Sequence, residues 1–152
     1  MATLTASKIT DLGLSSTLSD CTSAGGDEFV NTGIEFIRIQ NSHGTSAYTV
    51  KVAAATTTVK HPSYGNLTKP DIYKSVSSPG APASSAYTNK GANDIILGPF
   101  KQGAFNDANN KVQISYCATA VANATAFTNA DAISTVSSGV HQLKIEVLYL
   151  DN

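Results

Sequence analysis

The side chains that could do chemistry in this chain are its histidines, cysteines, carboxylates and serines, and their spacing bounds what that chemistry could be. His43, His61 and His141 stand in a loop tip, before Pro62 and at the opening of a strand. None has a His-x-His or His-x-x-x-His partner that would put two imidazoles on one face, so they read as isolated surface or turn residues rather than metal ligands. Asn106-Asp107-Ala108-Asn109-Asn110 is as oxygen-rich as a calcium loop. It lacks the central glycine and the closing glutamate, and a plain hairpin turn is expected. There is no Gly-x-Ser-x-Gly elbow, P-loop or dinucleotide fingerprint, and no cysteine lies near a histidine in sequence. The expectation is a protein that is not an enzyme, with no catalytic residue, no metal and no cofactor.

Gly25-Gly26-Asp27-Glu28-Phe29 is the one string that looks catalytic. It matches the signature of diguanylate cyclases, where glycines approach the nucleotide and the acids serve metal and catalysis. Here too little chain precedes it for that α/β domain. A turn, Asn31-Thr32-Gly33, comes next, where that family has a helix. A Gly-Gly bend entering a strand is the expected role. Cys21 and Cys117 belong to no Cys-x-x-Cys pair and have no basic cluster beside them. Two reduced thiols are expected, with a disulfide as the alternative that spacing leaves open.

Composition limits the partners. Of 152 residues only 14% are charged, well under the usual quarter, and Ser, Thr, Ala, Asn and Gly fill the difference. That favours strands and polar turns over long surface helices. A net charge of -1 with no run of Lys and Arg speaks against nucleic acid or an anionic membrane as partner. No apolar stretch has the length of a signal peptide or a membrane span, so synthesis in a cytoplasm is expected.

The elements that must position any site are short strands. Ile34–Gln40, Tyr48–Val52, Thr56–Lys60, Ile95–Leu97, Lys111–Ala118 and His141–Leu150 carry apolar or alternating patterns. On the last, Leu143, Ile145, Val147 and Tyr149 should face the core while Lys144 and Glu146 point out. Residues 1–26 form an N-terminal arm with spaced leucines, expected to be partly extended and packed on the body or a neighbour. Residues 27–152 form the body, interrupted at about 61–93 by a Pro/Ser/Gly-rich loop with three tyrosines; residues 119–139 form a second loose connection. The fold class is all-β, an antiparallel β-sandwich or jelly roll in a single domain. Partner contacts are expected from Leu4, Ile9, Leu12 and Leu14 of the arm and from Tyr64, Tyr73 and Tyr87 of the loop, since Tyr offers large contact area at low entropy cost.

The order of these features resembles small head decoration (cement) proteins of tailed bacteriophages. An arm ending in Ala24-Gly25-Gly26-Asp27 leads into Phe29-Val30-Asn31-Thr32-Gly33, then Ile34-Glu35-Phe36-Ile37-Arg38-Ile39-Gln40-Asn41 and an alternating Tyr-Thr-Val-Lys-Val strand. Leu97-Gly98-Pro99-Phe100, Phe105-Asn106-Asp107 through Ile114-Ser115-Tyr116, and a closing strand complete the series. The likeness covers most of residues 24–150 apart from the 61–93 excursion, which departs from compact members. It implies a β-sandwich, commonly a homotrimer, that binds the major capsid protein on the outside of a capsid and helps the shell resist DNA pressure. Such a protein is made in the bacterial host cytoplasm and resides on the virion exterior. The alternative is a carbohydrate- or receptor-binding module of a phage fibre or tail, resting on the loop tyrosines; the lack of Trp weighs against it.

Overall fold

A computed structural model describes residues 1–22, 25–55, 58–79, 93–117 and 142–150. Two mixed sheets pack face to face, giving the all-β sandwich expected of the composition. The first sheet runs in the order β1 (Ala2–Leu4), β4 (Asp27–Val30), β11 (Lys111–Cys117), β6 (Tyr48–Val52), β9 (Ile72–Val76). The second runs β10 (Asp94–Leu97), β5 (Glu35–Asn41), β12 (Leu143–Leu150), β2 (Ala6–Ile9), with β3 (Ser19–Asp20) also on β12. A hairpin of β7 (Thr58–His61) and β8 (Gly65–Thr68) forms a separate ladder.

Period-two patterning builds the core. Tyr48, Val50 and Val52 on β6 and Val112, Ile114 and Tyr116 on β11 meet Ile37 and Ile39 of β5 and Leu143, Ile145 and Val147 of β12, all buried. Phe29, Phe100 and Phe105 close one end as tilted and edge-on rings, with centroids 5.9 and 5.6 Å apart. Phe105 reaches its place from a single helical turn, α1 (Gln102–Phe105), where the sequence shows no helical period.

Three expectations change. The stretch read as a loop from 61 to 93 contains the end of a hairpin and the whole of β9, which pairs with β6 from Tyr48↔Val76 to Val52↔Ile72. Pro70 and Pro79 flank β9, and an edge strand bounded by prolines keeps its ladder bonds, so proline density misled the reading. Residues 80–92 and the second connection at 119–139 lie outside the described residues. The arm, expected as partly extended chain on the body or a neighbour, supplies strands to both sheets of the body through residues 1–22. β1 pairs in parallel with β4, and after Thr5 the chain continues as β2, parallel to β12. The third change is Glu146. It lies on the outward face of β12 beside Arg38, as the alternation requires, yet is only 6% exposed. Ser16 and Thr17, between β2 and β3, lie over it: Ser16 Oγ donates to Oε1 at 2.8 Å and the Thr17 N–H to Oε2 at 3.1 Å.

Candidate interaction face

On the outward face of the second sheet, one half is polar and closed. Arg38 donates through Nε and Nη2 to the two oxygens of Asp94 at 2.9 and 2.6 Å, and through Nη1 to Glu146 at 3.0 Å and Ser16 Oγ at 3.1 Å. The guanidinium holds the Asp94 carboxyl below the usual carboxylate range, and the two acids in turn raise Arg38. Every charged group of this cluster is engaged by another member of it.

The other half of the face is apolar. Phe36 points outward from β5 between the inward Glu35 and Ile37. Ile34 precedes it on a turn that Glu35 fixes: the carboxylate accepts from the Thr32 N–H and Oγ1, both at 2.7 Å, and from the N–H groups of Gly33 at 3.1 Å and Ile34 at 3.2 Å. Burial opposes the charge on Glu35, but these donors together win, and its pKa is lowered. Gly33 has φ +101°, a conformation that suits glycine, so the tight turn needs it. Leu150 at the end of β12 pairs with Ile9 of β2. Ile34, Phe36, Leu150, Gly33 and Pro99 line a shallow pocket of about 160 Å³. Ile34 and Leu150 are 39% and 49% exposed, and Ile96, on the outward face of β10, is 63% exposed.

The residues nominated from the sequence fall in several places. Ile9 is half-buried in the apolar row, and Leu12, 99% exposed, tips the Thr10–Gly13 turn just beyond it. Leu4 packs against the core, and Leu14 is half-buried. Tyr64 projects from the β7–β8 hairpin at 77% exposure, whereas Tyr73 lies on β9 with its hydroxyl 3.3 Å from Asp71. Tyr87 lies outside the described residues. The sequence reading missed Ile34, Phe36, Ile96, Pro99 and Leu150. The signal it had was broken alternation: β5 and β12 carry apolar residues at both parities near this end, and only one parity fits the core.

The catalytic-looking string is divided by its strand. Asp27 points into the core, accepting from Tyr116 OH at 2.6 Å and the Thr22 N–H at 3.0 Å. Glu28 points out, where Lys111, Thr3 and Gln113 donate to it. Two acids on opposite faces of β4 do not converge on one ligand. Gly26, at φ +70°, opens the strand so close to β11 that a Cβ would lie 2.1 Å from the Ile114 carbonyl oxygen. Asp107 accepts the N–H groups of Asn109 and Lys111, making the Asn-rich loop a hairpin turn. His43 Nδ1 accepts from the N–H groups of Thr45 and Ser46 within its own loop. Among the described residues, no three His, Cys, Asp or Glu side chains gather as a metal site. Cys21 and Cys117 are buried and not joined in a disulfide, and burial pushes the Cys21 thiol far up, away from the reactive thiolate.

No family model, curated protein or solved structure matches the chain.

Proposed function

We propose that this chain is a structural binding protein that docks on the outer surface of a phage capsid lattice and stabilises it, as a decoration protein does. The partner is the major capsid protein, the working unit is a homotrimer, and the site of action is the virion exterior. The observation that carries the reading is the apolar half of the second sheet's outward face, Ile34, Phe36, Pro99 and Leu150 beside Ile9. Exposed apolar side chains gathered at one end of a sheet face are surface that a protein partner can cover. Burying an Ile, Leu or Phe fully is worth about 1.5–3 kcal/mol, so one copy gains modestly and a lattice of linked contacts gains much more. The order of strand and turn motifs along residues 24–150 is the second support.

Cosedimentation with expanded capsids of tailed phages is the test. Binding is expected, with at least tenfold weakening in Ile34→Asp and Leu150→Asp, both of which keep the wild-type circular dichroism. Absence of the protein from virions, together with no binding to any capsid tried, would overturn the reading. The carbohydrate reading has no comparable support, because Tyr64 and Tyr73 belong to different ladders and Tyr73 is engaged with Asp71.

A further inference from the structure

We propose that residues 1–9 are an exchangeable strand, which a second copy of this chain can supply to the adjacent edges of β4 and β12. The inference does not rest on the capsid reading.

The geometry of attachment motivates it. β1 and β2 are both edge strands, one in each sheet, joined through Thr5. They guard the edges of β4 and β12, whose backbone groups would otherwise be open templates for pairing. The register is complete and parallel at both: Ala2↔Asp27 to Leu4↔Phe29, then Ala6↔Val147 to Ile9↔Leu150. Yet none of residues 1–9 is fully buried. Leu4 and Ala6 pack against the core but are only partly buried, while Ala2, Thr3, Thr5 and Lys8 are exposed. At the surface of the first sheet, Thr3 Oγ1 donates to Glu28 at 2.7 Å and accepts from Lys111 at 3.4 Å.

The connection back to the body allows movement. From Thr10 to Thr17 every residue but Leu14 is exposed. Gly13, at φ +86° with open space around its α-carbon, offers a pivot. Beyond it, Ser16 and Thr17 are held on Glu146, so a hinge at 10–15 frees residues 1–9 while the rest of the connection stays bound. The seal is also incomplete. β2 and β3 take opposite ends of the same β12 edge, and a cleft of about 330 Å³ opens between them, lined by the hydroxyl residues Thr3, Thr5, Ser7, Thr17 and Ser19. Water entering there competes for the edge that β2 covers.

Exchange between copies keeps every pairing, because the incoming strand has the same sequence and meets the same edges. The balance between pairing within one copy and pairing between two is then set by hinge strain and concentration. Copies held close together shift it toward exchange.

Ser7 lies opposite Leu148 in the β2–β12 ladder, so cysteines at these positions report the pairing. One full chain carries Ser7→Cys, another carries Leu148→Cys, and the two are mixed, incubated at rising concentration and oxidised. A disulfide joining the two different chains is expected, its yield rising with concentration and with removal of residues 11–13, which strains pairing within one copy. Wild-type chains treated alike set the background from buried Cys21 and Cys117. The double variant at low concentration shows that the register permits the bond; Thr3→Cys with Glu28→Cys, opposite in the β1–β4 ladder, is the second reporter. A bond within each double variant, with none between mixed chains at any concentration, with or without residues 11–13, overturns the proposal. So does failure of both double variants to close a bond, since the register is its foundation.

Discussion

Outside the first sheet, Glu28 gathers Lys111, Thr3 and Gln113, Asp107 takes a second bond from Gln113 at 2.7 Å, and Lys51 pairs with Asp71 at 3.3 Å. Outside the second, among the described residues, Arg38 gathers Asp94, Glu146 and Ser16, Lys144 pairs with Asp20 at 2.9 Å, and Ile34, Phe36, Pro99 and Leu150 take the remaining end. Both faces belong to the same sandwich and both carry ion pairs. They differ in where water still has something to gain. On the first face polar side chains trade hydration for one another near the surface, where such trades are almost balanced. On the second, Ser16 and Thr17 cover one acid of the cluster, and the apolar end beside it has no polar group to satisfy. A protein partner can improve that end by excluding water, which it cannot do for a face already bonded to itself.

The sharpest way to break this contrast is Arg38→Ala. It leaves Glu146, whose side chain is 4% exposed, without its counter-charge and frees Asp94 as well. Removing one partner of a buried pair costs about 3–5 kcal/mol, and because Arg38 is itself 27% exposed the loss should fall near the lower end. Denaturant unfolding measures it directly. A loss of under 1 kcal/mol would mean that Ser16 and Thr17 hold Glu146 without help, and that the two faces are energetically alike.

Glu35→Gln comes next. It removes the charge that four donors from Thr32, Gly33 and Ile34 converge upon, at a cost of about 1–3 kcal/mol. Amide exchange at Thr32 to Ile34 should speed up more than in β5, because the turn loses its charged acceptor and one of its two acceptor oxygens while the ladder keeps its own bonds. Capsid binding should weaken with it, since the turn sets Ile34 over the pocket. By contrast Leu150→Asp, at a half-exposed position with no hydrogen bond at its side chain, should change stability by about 1 kcal/mol or less. Loss of binding without loss of fold is the outcome that separates an interaction face from an ordinary core margin.

How much of this was legible depends on what each element needs from afar. β5, β6, β11 and β12 announce themselves by alternation, since an inward apolar parity is a local property of the chain. β9 hid behind its flanking prolines. β1, β2 and β3 are two to four residues long and rich in Ser, Thr and Ala, and their pairing is set by edges lying far along the chain. Glu146 looked like any outward acid because the groups that bury it, Ser16 and Thr17, lie about 130 residues away. Phe36, Leu148 and Leu150 were visible as apolar residues at the parity opposite the core. Whether such residues meet solvent or a covering segment is a tertiary matter: Leu148 is buried at 6%, whereas Leu150 is half exposed.

The smallest effect is expected on the first face, and it is read best through pH. Lys111, then Thr3 and Gln113, pull the Glu28 carboxyl down to about 2, while Asp107, Asp94 and Glu35 are all lowered by their donors. Each depressed acid stabilises the fold fully above its unfolded pKa of about 4, and that contribution is lost as pH falls through the folded value. Stability should therefore be level from about pH 5 to 8 and decline from about pH 4 toward 2. Glu28→Gln should make that acid decline shallower while changing stability at pH 7 less than Arg38→Ala, Glu35→Gln or Leu150→Asp. The residual change at pH 7 should fade in added salt, because Glu28 and Lys111 meet near solvent where ions screen them. Arg38→Ala at the same pH should keep most of its effect in salt, since Glu146 is shielded from those ions. If both variants fade equally, Ser16 and Thr17 do not shelter the Arg38 cluster, and the difference between the two faces reduces to the apolar end alone.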